Sequence, residues 1–236
     1  MAVIEYDARY FSPRDVLECG QIFRFVPFAE GYKVFSADKA CYVYTRGDAT
    51  FVECDDGDYF YNFFDLGRDY AAITERAKSF GVPLLTRGAS LGQGLRLLNQ
   101  NAEEMIYSFI ISQNNNIPRI KGIIERICAA LGEERTFMGE KYHAFPTSAA
   151  LAGAGAEFFK LIGAGYRDGY LAATSARIAA EGIDELYGLS DDDLKKALLT
   201  YTGVGPKVAD CISLFGFGRR ACFPVAPWIE KLYRVD

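Results

Sequence analysis

Histidine is nearly missing from this sequence, and its cysteines are never closely spaced. The only histidine is His143, and the six cysteines form no C-x-x-C pair anywhere in the 236 residues. Zinc and iron–sulfur centres need several such ligands at short spacing, so we expect no metal site and no cofactor. We interpret most of the cysteines as small buried side chains, because a chain of this length without a secretion signal rarely depends on disulfides.

Long apolar runs are also missing. No stretch approaches the roughly 18 apolar residues of a membrane-spanning helix, and the first residues, MAVIEYDARYFSPRD, lack the basic and apolar segments of a secretory signal. We therefore expect a soluble intracellular protein with no membrane partner. The net charge of −5 argues mildly against a polyanionic ligand. Residues 207–236 nevertheless carry five basic side chains against three acidic ones, so a local basic face remains open.

The hydrophobic pattern changes along the chain. Up to about residue 65, the aromatic and β-branched runs YKVFS, CYVYTR and TFVEC predict strands, with turn signals at residues 46–48 and at Asp56-Gly57. From RDYAAITERAKSF onward the spacing is helical, and few strand-like runs follow Gly81. We predict an α+β protein, with an antiparallel β-sheet domain over 1–85 and a mostly α-helical domain over 86–236. The boundary falls in the stretch 82–88, which carries proline and glycine.

One helical segment leads into a glycine hairpin. Ser190 is a suitable N-cap, three aspartates follow it in the first turn, and apolar residues recur at positions i, i+3, i+4 and i+7. The apolar residues are Leu194, Ala197, Leu198 and Tyr201. The helix is predicted to stop at Gly203, and Pro206 suits the first position of a new helix. Residues 200–212, TYTGVGPKVADCI, therefore predict a helix, a Gly-Val-Gly hairpin and a second helix.

The hairpin is compatible with a phosphate site, and the lysine that follows it with a nucleophile. Glycines at 203 and 205 permit positive φ and close approach to a ligand, and the first N–H groups of the second helix lack intrahelical partners. At about the second helical position, the helix dipole and partial burial would lower the pKa of Lys207 and leave a neutral amine. A tight turn between packed helices and an exposed surface lysine are the alternatives. Both stay open here.

Four stretches resemble the helix-hairpin-helix DNA glycosylase superfamily and, within it, the 8-oxoguanine DNA glycosylase/AP lyases. They are CGQIFRF (19–25), FIISQNNNIPRIKGIIERI (109–127), GAGYRDGYLAATSARI (163–178) and TGVGPKVADCISL (202–214). The resemblance extends through nearly the whole chain. The asparagine run and the Gly-Tyr-Arg segment are typical of the 8-oxoguanine branch, whereas the hairpin alone would indicate only the superfamily.

The resemblance implies a lysine-based excision reaction on double-stranded DNA containing 8-oxoguanine. Lys207 would attack C1′ of the sugar, expel the damaged base and form a Schiff base that permits strand cleavage. The backbone carbonyl of Gly20 would accept the N7 hydrogen that 8-oxoguanine has and guanine lacks, and Cys211 would line the same pocket. The hairpin amides would hold a DNA phosphate, and the protein would act as a monomer. These amides belong to Gly203, Val204 and Gly205.

The resemblance also implies a set of side chains for the base left unpaired opposite the flipped lesion. An asparagine and two arginines would contact the orphaned cytosine, whose acceptors match arginine donors. A tyrosine would wedge beside it and replace the lost stacking. The four residues are Asn114, Arg119, Tyr166 and Arg167. A solvated loop or helix cap is the alternative interpretation of the asparagine run.

Two departures from the family pattern bear on activity. The family has Pro-Val-Asp where this sequence has Pro224-Val225-Ala226, so the carboxylate credited with stabilising charge on the sugar is a methyl group. We therefore expect slow or absent base removal with lesion binding retained. The chain also ends at Asp236, soon after Trp228, where relatives continue, so either the helical domain is truncated there or the tail is absent.

Two other functions compete with a disabled glycosylase. A protein that flips and holds 8-oxoguanine without excising it is favoured by Ala226 and disfavoured by the retention of Lys207. An alkyl-base glycosylase of the same superfamily would need the missing aspartate and no nucleophilic lysine. Lys207 and the run NNNIPR argue against that alkyl-base function.

Overall fold

A five-stranded antiparallel sheet forms the first part of the fold. The computed structural model describes residues 1–225. The strands lie in the order β1-β5-β4-β3-β2, so that β1 and β2 are the edges. All three strand predictions are confirmed, and the sheet has two further strands. The strands are β1 (Ala2–Asp7), β2 (Phe25–Phe28), β3 (Gly31–Ser36), β4 (Lys39–Arg46) and β5 (Ala49–Cys54).

Both faces of the sheet are covered, and the central strand β4 shows this most clearly. Its residues 40–44 are all buried, whereas β5 alternates between buried and half-buried positions. Cys41 and Val43 face the main core, and Ala40, Tyr42 and Tyr44 belong to a separate cluster on the other face. Because successive side chains of a strand point to opposite faces, a fully buried strand needs packing on both sides.

A β-hairpin from much later in the chain covers the second face. It consists of β6 (Glu134–Phe137) and β7 (Glu140–His143). Tyr142 stacks on Phe35 with ring centroids 4.9 Å apart, and the buried Lys33 Nζ lies 2.7 Å from Glu140 Oε2. The expectation of few strands after Gly81 missed this hairpin, because its short, mostly polar strands are stabilised by packing on a distant sheet.

Short helices interrupt the region predicted to be all strands. They are a 3₁₀ helix (Ala8–Tyr10), α1 (Pro13–Glu18) and α2 (Gly57–Phe63). Asp56 was expected to mark a turn between strands, but its side chain accepts from Tyr59 N at 3.0 Å and caps α2. Aspartate followed by glycine is therefore a helix start here. Two further helices follow, α3 (Tyr70–Ser79) and α4 (Pro83–Leu91).

The chain divides into two compact units. One contains residues 1–99 together with 134–142, and the other contains 100–133 together with 143 onward. The predicted boundary after residue 85 falls inside α4 of the first unit, because Pro83 occupies the first turn of a helix instead of a linker.

The second unit is helical and is built around α5 (Ala102–Ser112), whose residues 104–111 are all buried. No helix among the described residues is long and apolar enough to span a membrane. The other helices of this unit are α6 (Ile117–Leu131), α7 (Ser148–Leu161), a 3₁₀ helix (Gly165–Arg167), α8 (Asp168–Glu181), α9 (Asp184–Tyr187), α10 (Asp191–Leu199) and α11 (Pro206–Phe215).

A fully buried arginine, Arg96, organises the loops of the first unit. Its guanidinium donates to backbone carbonyls from three separate segments. The rings of Tyr6 and Tyr70 lie 4.7 and 4.1 Å from its Cζ. The charge is thus stabilised by carbonyl dipoles and aromatic faces. The carbonyls are those of Tyr10, Phe64, Asp65 and Arg68.

We predict that Arg96→Lys lowers the free energy of unfolding by about 3 kcal/mol. At least two of the four carbonyls would lose their donor, and each unpaired buried acceptor costs about 1–3 kcal/mol. Urea unfolding followed by circular dichroism measures the change. Arg87→Lys, on the exposed surface of α4, is the matched control and should change stability by less than about 0.5 kcal/mol. Equal stability of the two variants would contradict a structural role for Arg96.

Candidate active site and nucleic-acid interface

The predicted helix-hairpin-helix is present. Ser190 caps α10 by accepting from Asp193 N at 3.2 Å. Leu194 and Leu198 are fully buried, as the apolar stripe predicts. Helix α10 ends at Leu199, slightly before the expected stop, and the hairpin leads directly to Pro206 at the start of α11.

The two hairpin glycines have different roles. Gly203 has φ +84°, and a Cβ there would lie 2.4 Å from Tyr170 Cδ2, so both backbone conformation and packing require glycine. Gly205 has an extended φ of −93°, and a Cβ there would meet no atom within 4 Å. The expectation of two positive-φ glycines is right for Gly203 only. Between them, Val204 is buried and its N–H donates to Tyr201 O at 3.0 Å, which closes the turn.

The start of α11 offers positive backbone groups to the outside. Its N-cap is Gly205, which has no side chain to accept from the first-turn amides, whereas α10 has Ser190 in that position. Pro206 at the first position supplies no N–H. The remaining N–H groups of the first turn have no side-chain cap, and such groups attract an anion through the helix dipole. The open space beside Gly205 lets a ligand approach the backbone.

Lys207 is the second residue of α11 and is exposed. The expected partial burial is therefore not found. One turn later, Cys211 is buried, and burial raises the pKa of its thiol to about 11, against a lowering by the charge of Lys207. The thiol is thus neutral at physiological pH.

Asp210 is the carboxylate nearest to Lys207 along α11, and no pattern in the sequence singles it out. Its Oδ1 lies 2.7 Å from Lys195 Nζ on α10, and this hydrogen bond raises the pKa of Lys195. Asp210 is thus committed to an ion pair between the two helices. Ala226, where the family has its aspartate, lies outside the described residues.

The four residues predicted to meet the opposite base come together in the second unit. Three of them lie on two loops, residues 113–116 between α5 and α6 and residues 163–167 after α7, and Arg119 lies in the first turn of α6. Tyr166 is 54% exposed, and its hydroxyl donates to Gln113 O at 3.3 Å. Exposed Arg119 donates from Nη2 to Gly163 O at 3.1 Å, which joins the first turn of α6 to the second loop.

The three adjacent asparagines divide into two structural residues and one available side chain. Asn115 donates to Ile111 O at 3.0 Å and extends the end of α5. Asn116 caps α6 by accepting from Arg119 N at 3.0 Å. Asn114 is exposed, has a positive φ of 44°, and its side chain forms no hydrogen bond with the described residues. The helix-cap interpretation therefore holds for Asn115 and Asn116.

Arg167 differs from the expectation because it is only 2% exposed. Its guanidinium donates to Gln113 O from both Nε (3.0 Å) and Nη2, to Asn114 O from Nη2 (3.1 Å) and to Ala164 O from Nη1 (3.0 Å). It also lies 4.2 Å from the centroid of the Tyr166 ring. In this conformation Arg167 holds the two loops, and a contact with a base would require some of these bonds to be exchanged.

Gly20 belongs to the first unit and follows α1. Its φ is +91°, and no described residue donates a hydrogen bond to its carbonyl. The neighbouring Gln21 is buried, donating to Val16 O at 3.0 Å and accepting from Leu98 N at 2.9 Å. The Gly20 carbonyl is thus an available acceptor on a fixed backbone. Within residues 1–225, no cluster of three or more His, Cys, Asp or Glu side chains is placed to hold a metal ion.

Comparison with known proteins gives N-glycosylase/DNA lyases at 34–37% identity, and a putative DNA-3-methyladenine glycosylase of Bacillus subtilis at 25%. The chain is 37% identical over 191 residues to a Methanothermobacter thermautotrophicus protein named "Probable N-glycosylase/DNA lyase", covering 72% of this chain and 59% of that protein. It is 34% identical over 158 residues to the N-glycosylase/DNA lyase of Saccharomyces cerevisiae, covering 61% of this chain and 42% of the enzyme. The matches thus span less than two thirds of either relative. No protein-family model matches the chain.

A solved structure is matched over a larger share of its own chain than either of these relatives. The 8-oxoguanine glycosylase/lyase of Clostridium acetobutylicum, in complex with double-stranded DNA containing cytosine opposite 8-oxoguanine, superposes with a TM-score of 0.88 at 33% identity. The match covers 98% of this chain and 84% of that enzyme. At that identity and coverage the similarity extends beyond the fold. The chain therefore belongs to the 8-oxoguanine DNA glycosylase/lyase family of helix-hairpin-helix proteins.

Proposed function

We propose that this protein is a DNA glycosylase with AP lyase activity that removes 8-oxoguanine opposite cytosine from double-stranded DNA, and that Ala226 slows its chemistry. The observation that carries the proposal is the position of Lys207, exposed on the first turn of α11 directly after an uncapped, open glycine hairpin. An amine there is accessible to a DNA sugar. We further propose an intracellular monomer, in keeping with a DNA substrate.

The hairpin would position the DNA backbone. The first-turn amides of α11 attract a phosphate, and the space beside Gly205 allows the backbone to approach it closely. The buried side chain of Val204 would hold the hairpin in place when DNA binds. A phosphate held there would present the neighbouring sugar to Lys207, so that attack takes place within one bound complex.

The reaction itself needs an unprotonated Lys207. Its Nζ would form a bond to C1′ as the glycosidic bond breaks, and the departing base would take up a proton. The sugar ring then opens to a protonated Schiff base between Nζ and C1′. Loss of a proton from C2′ expels the 3′ phosphate and cleaves the strand, and hydrolysis of the Schiff base frees Lys207. Attack by a neutral amine is nucleophilic catalysis of the kind lysines provide.

The two recognition sites would act on different bases. The available carbonyl of Gly20 would accept from N7–H of 8-oxoguanine and would be left unpaired by guanine, a costly mismatch. Exposed Asn114, Arg119 and Tyr166 would fill the space opposite the flipped base. Arg167 would contact the cytosine only after exchanging carbonyl bonds for base acceptors. Cys211, as a neutral thiol, would contribute a small polarizable side chain to the lining of the pocket for the damaged base.

A second function, binding of 8-oxoguanine without excision, is favoured by two observations. The family aspartate is replaced by Ala226, and Asp210, the carboxylate closest along α11, is bound to Lys195. No described carboxylate is thus free on α11 to accept a proton from Lys207. The retained lysine favours an enzyme, and restoring the aspartate separates the two functions.

We predict that Ala226→Asp accelerates excision by about a hundredfold to a thousandfold, the usual value of one electrostatic group in a catalytic site. Single-turnover assays on a labelled duplex with one 8-oxoguanine opposite cytosine measure the rate. Ala226→Asn is the matched control, since it adds similar volume without charge. If Asp and Asn variants are equally slow while both bind the lesion selectively, the binding function replaces the catalytic one.

In the Ala226→Asp background, Lys207→Gln should abolish the adduct trapped by borohydride, because only an amine forms a Schiff base. DNA affinity should fall by less than tenfold, since one charge contact at most is lost. Lys196 is an exposed lysine on the neighbouring helix α10. The control, Lys196→Gln, should leave the adduct unchanged. An undiminished adduct in Lys207→Gln would remove this residue from its role.

Substitution of the two hairpin glycines should separate DNA binding from stability. Gly205→Ala should weaken duplex binding by about tenfold, as loss of a close phosphate contact does, with no change in melting temperature because the site has room. Gly203→Ala should lower the melting temperature, because its Cβ would collide with Tyr170. Fluorescence anisotropy at fixed salt and thermal unfolding measure the two effects. Wild-type affinity in Gly205→Ala would argue against a phosphate at the hairpin.

A further inference from the structure

Two arginines of α6 hold the end of α7. Arg126 Nε donates to Ile162 O at 2.9 Å, and Arg119 Nη2 donates to the next carbonyl, Gly163 O, at 3.1 Å. The two arginines are seven residues apart and therefore lie on one face of α6, two turns from each other. The last carbonyls of a helix lack intrahelical donors and attract cations. The pair thus satisfies the C-terminal end of α7.

The loop beyond α7 runs directly against these guanidinium groups. A Cβ on Gly163 would lie 3.5 Å from Arg126 Nη2, and one on Gly165 would lie 3.5 Å from Arg119 Nη2. The same loop continues into the 3₁₀ helix that carries Tyr166 and Arg167. Movement of the Ile162 carbonyl therefore moves the wedge and the buried arginine that follow it.

The guanidinium of Arg126 lies against the surface of α6 at a glycine. Gly122 precedes it by one turn, and a Cβ on Gly122 would lie 3.4 Å from Arg126 Nη1. Glycine is a poor helix former, yet it stands in the interior of this 15-residue helix. Its missing side chain lets Arg126, although exposed to solvent, fold back along the helix toward Ile162.

DNA binding would affect the hydrogen bonds of the two arginines differently. Under the proposed function Arg119 turns toward the orphaned cytosine, and its bond to Gly163 O would then be weakened or lost. The bond from Arg126 to Ile162 O would be the contact from α6 that remains on the loop. Arg126 lies two turns farther along α6 than Arg119 and binds a different carbonyl, so it can keep this bond while Arg119 moves.

We propose that Arg126 is a positioning residue for opposite-base recognition. By fixing Ile162, it holds the loop 162–167 so that Tyr166 and Arg167 meet the cytosine in the correct place. The inference rests on the proposed function, because it concerns the selectivity of the same site. It assigns Arg126 no contact with the DNA.

The test is equilibrium binding of Arg126→Ala to duplexes with 8-oxoguanine opposite cytosine or opposite adenine. The ratio of the two affinities should fall about three- to tenfold, the net value of one hydrogen bond, while the melting temperature stays near that of the wild type. Arg126→Lys should recover part of the ratio, since an ammonium can still donate to Ile162 O. Arg87→Ala, which removes an exposed charge from α4 of the first unit, is the control for nonspecific electrostatics.

The possible results are distinguishable. A wild-type protein without preference for cytosine would refute the proposed function itself. A wild-type preference that Arg126→Ala retains would overturn the role of Arg126, as would an equal loss of affinity for both duplexes, which indicates a phosphate contact. If Arg126→Ala is unstable, Gly122→Leu decides, because it displaces the guanidinium from its place on α6. An unchanged ratio in that variant would overturn the inference.

Discussion

Both units depend on the same interaction, a buried guanidinium that binds backbone carbonyls. Arg96 and Arg167 are the largest fully buried side chains among the described residues. A buried charge is tolerated only when its donors are satisfied, and in each case the acceptors are backbone carbonyls at turns and helix ends. Each arginine therefore has its hydrogen-bond donors satisfied and supplies hydrogen bonds to several backbone carbonyls. Arg167 fixes the loops that carry Asn114 and Tyr166, whereas Arg96 fixes the segments at Tyr10 and residues 64–68.

In the first unit this constraint extends to Gly20. The carbonyl of Arg96 accepts from Gln21 Nε2 at 2.8 Å, so the residue after Gly20 is tied to the segment that Arg96 holds. In the second unit Arg167 joins the loops that carry Asn114 and Tyr166. The backbone beside Gly20 and the loops that carry the opposite-base residues are thus held by hydrogen bonds between side chains and backbone carbonyls.

Local sequence signals predicted several helices and strands correctly, but not the features that depend on contacts with distant residues. The helix-hairpin-helix follows from Ser190, the apolar stripe and Pro206, all of which act within a few residues. The hairpin β6–β7 could not be predicted, since its strands are stabilised by Phe35 and its neighbours about a hundred residues away. The sequence also could not separate Gly203 from Gly205, because the difference depends on the ring of Tyr170. Burial of Arg167 was missed for a similar reason, since arginine is rarely buried and its acceptors come from a distant loop.

The central claim is that a specific lysine forms a covalent bond with the sugar of the damaged nucleotide. Mass spectrometry of the borohydride-trapped complex of Ala226→Asp with an 8-oxoguanine duplex tests it most directly, because peptide mapping identifies the modified residue. We predict a single adduct on the peptide that contains Lys207. An adduct on Lys195, on the amino terminus or on no residue, with the lesion still bound, would contradict the account.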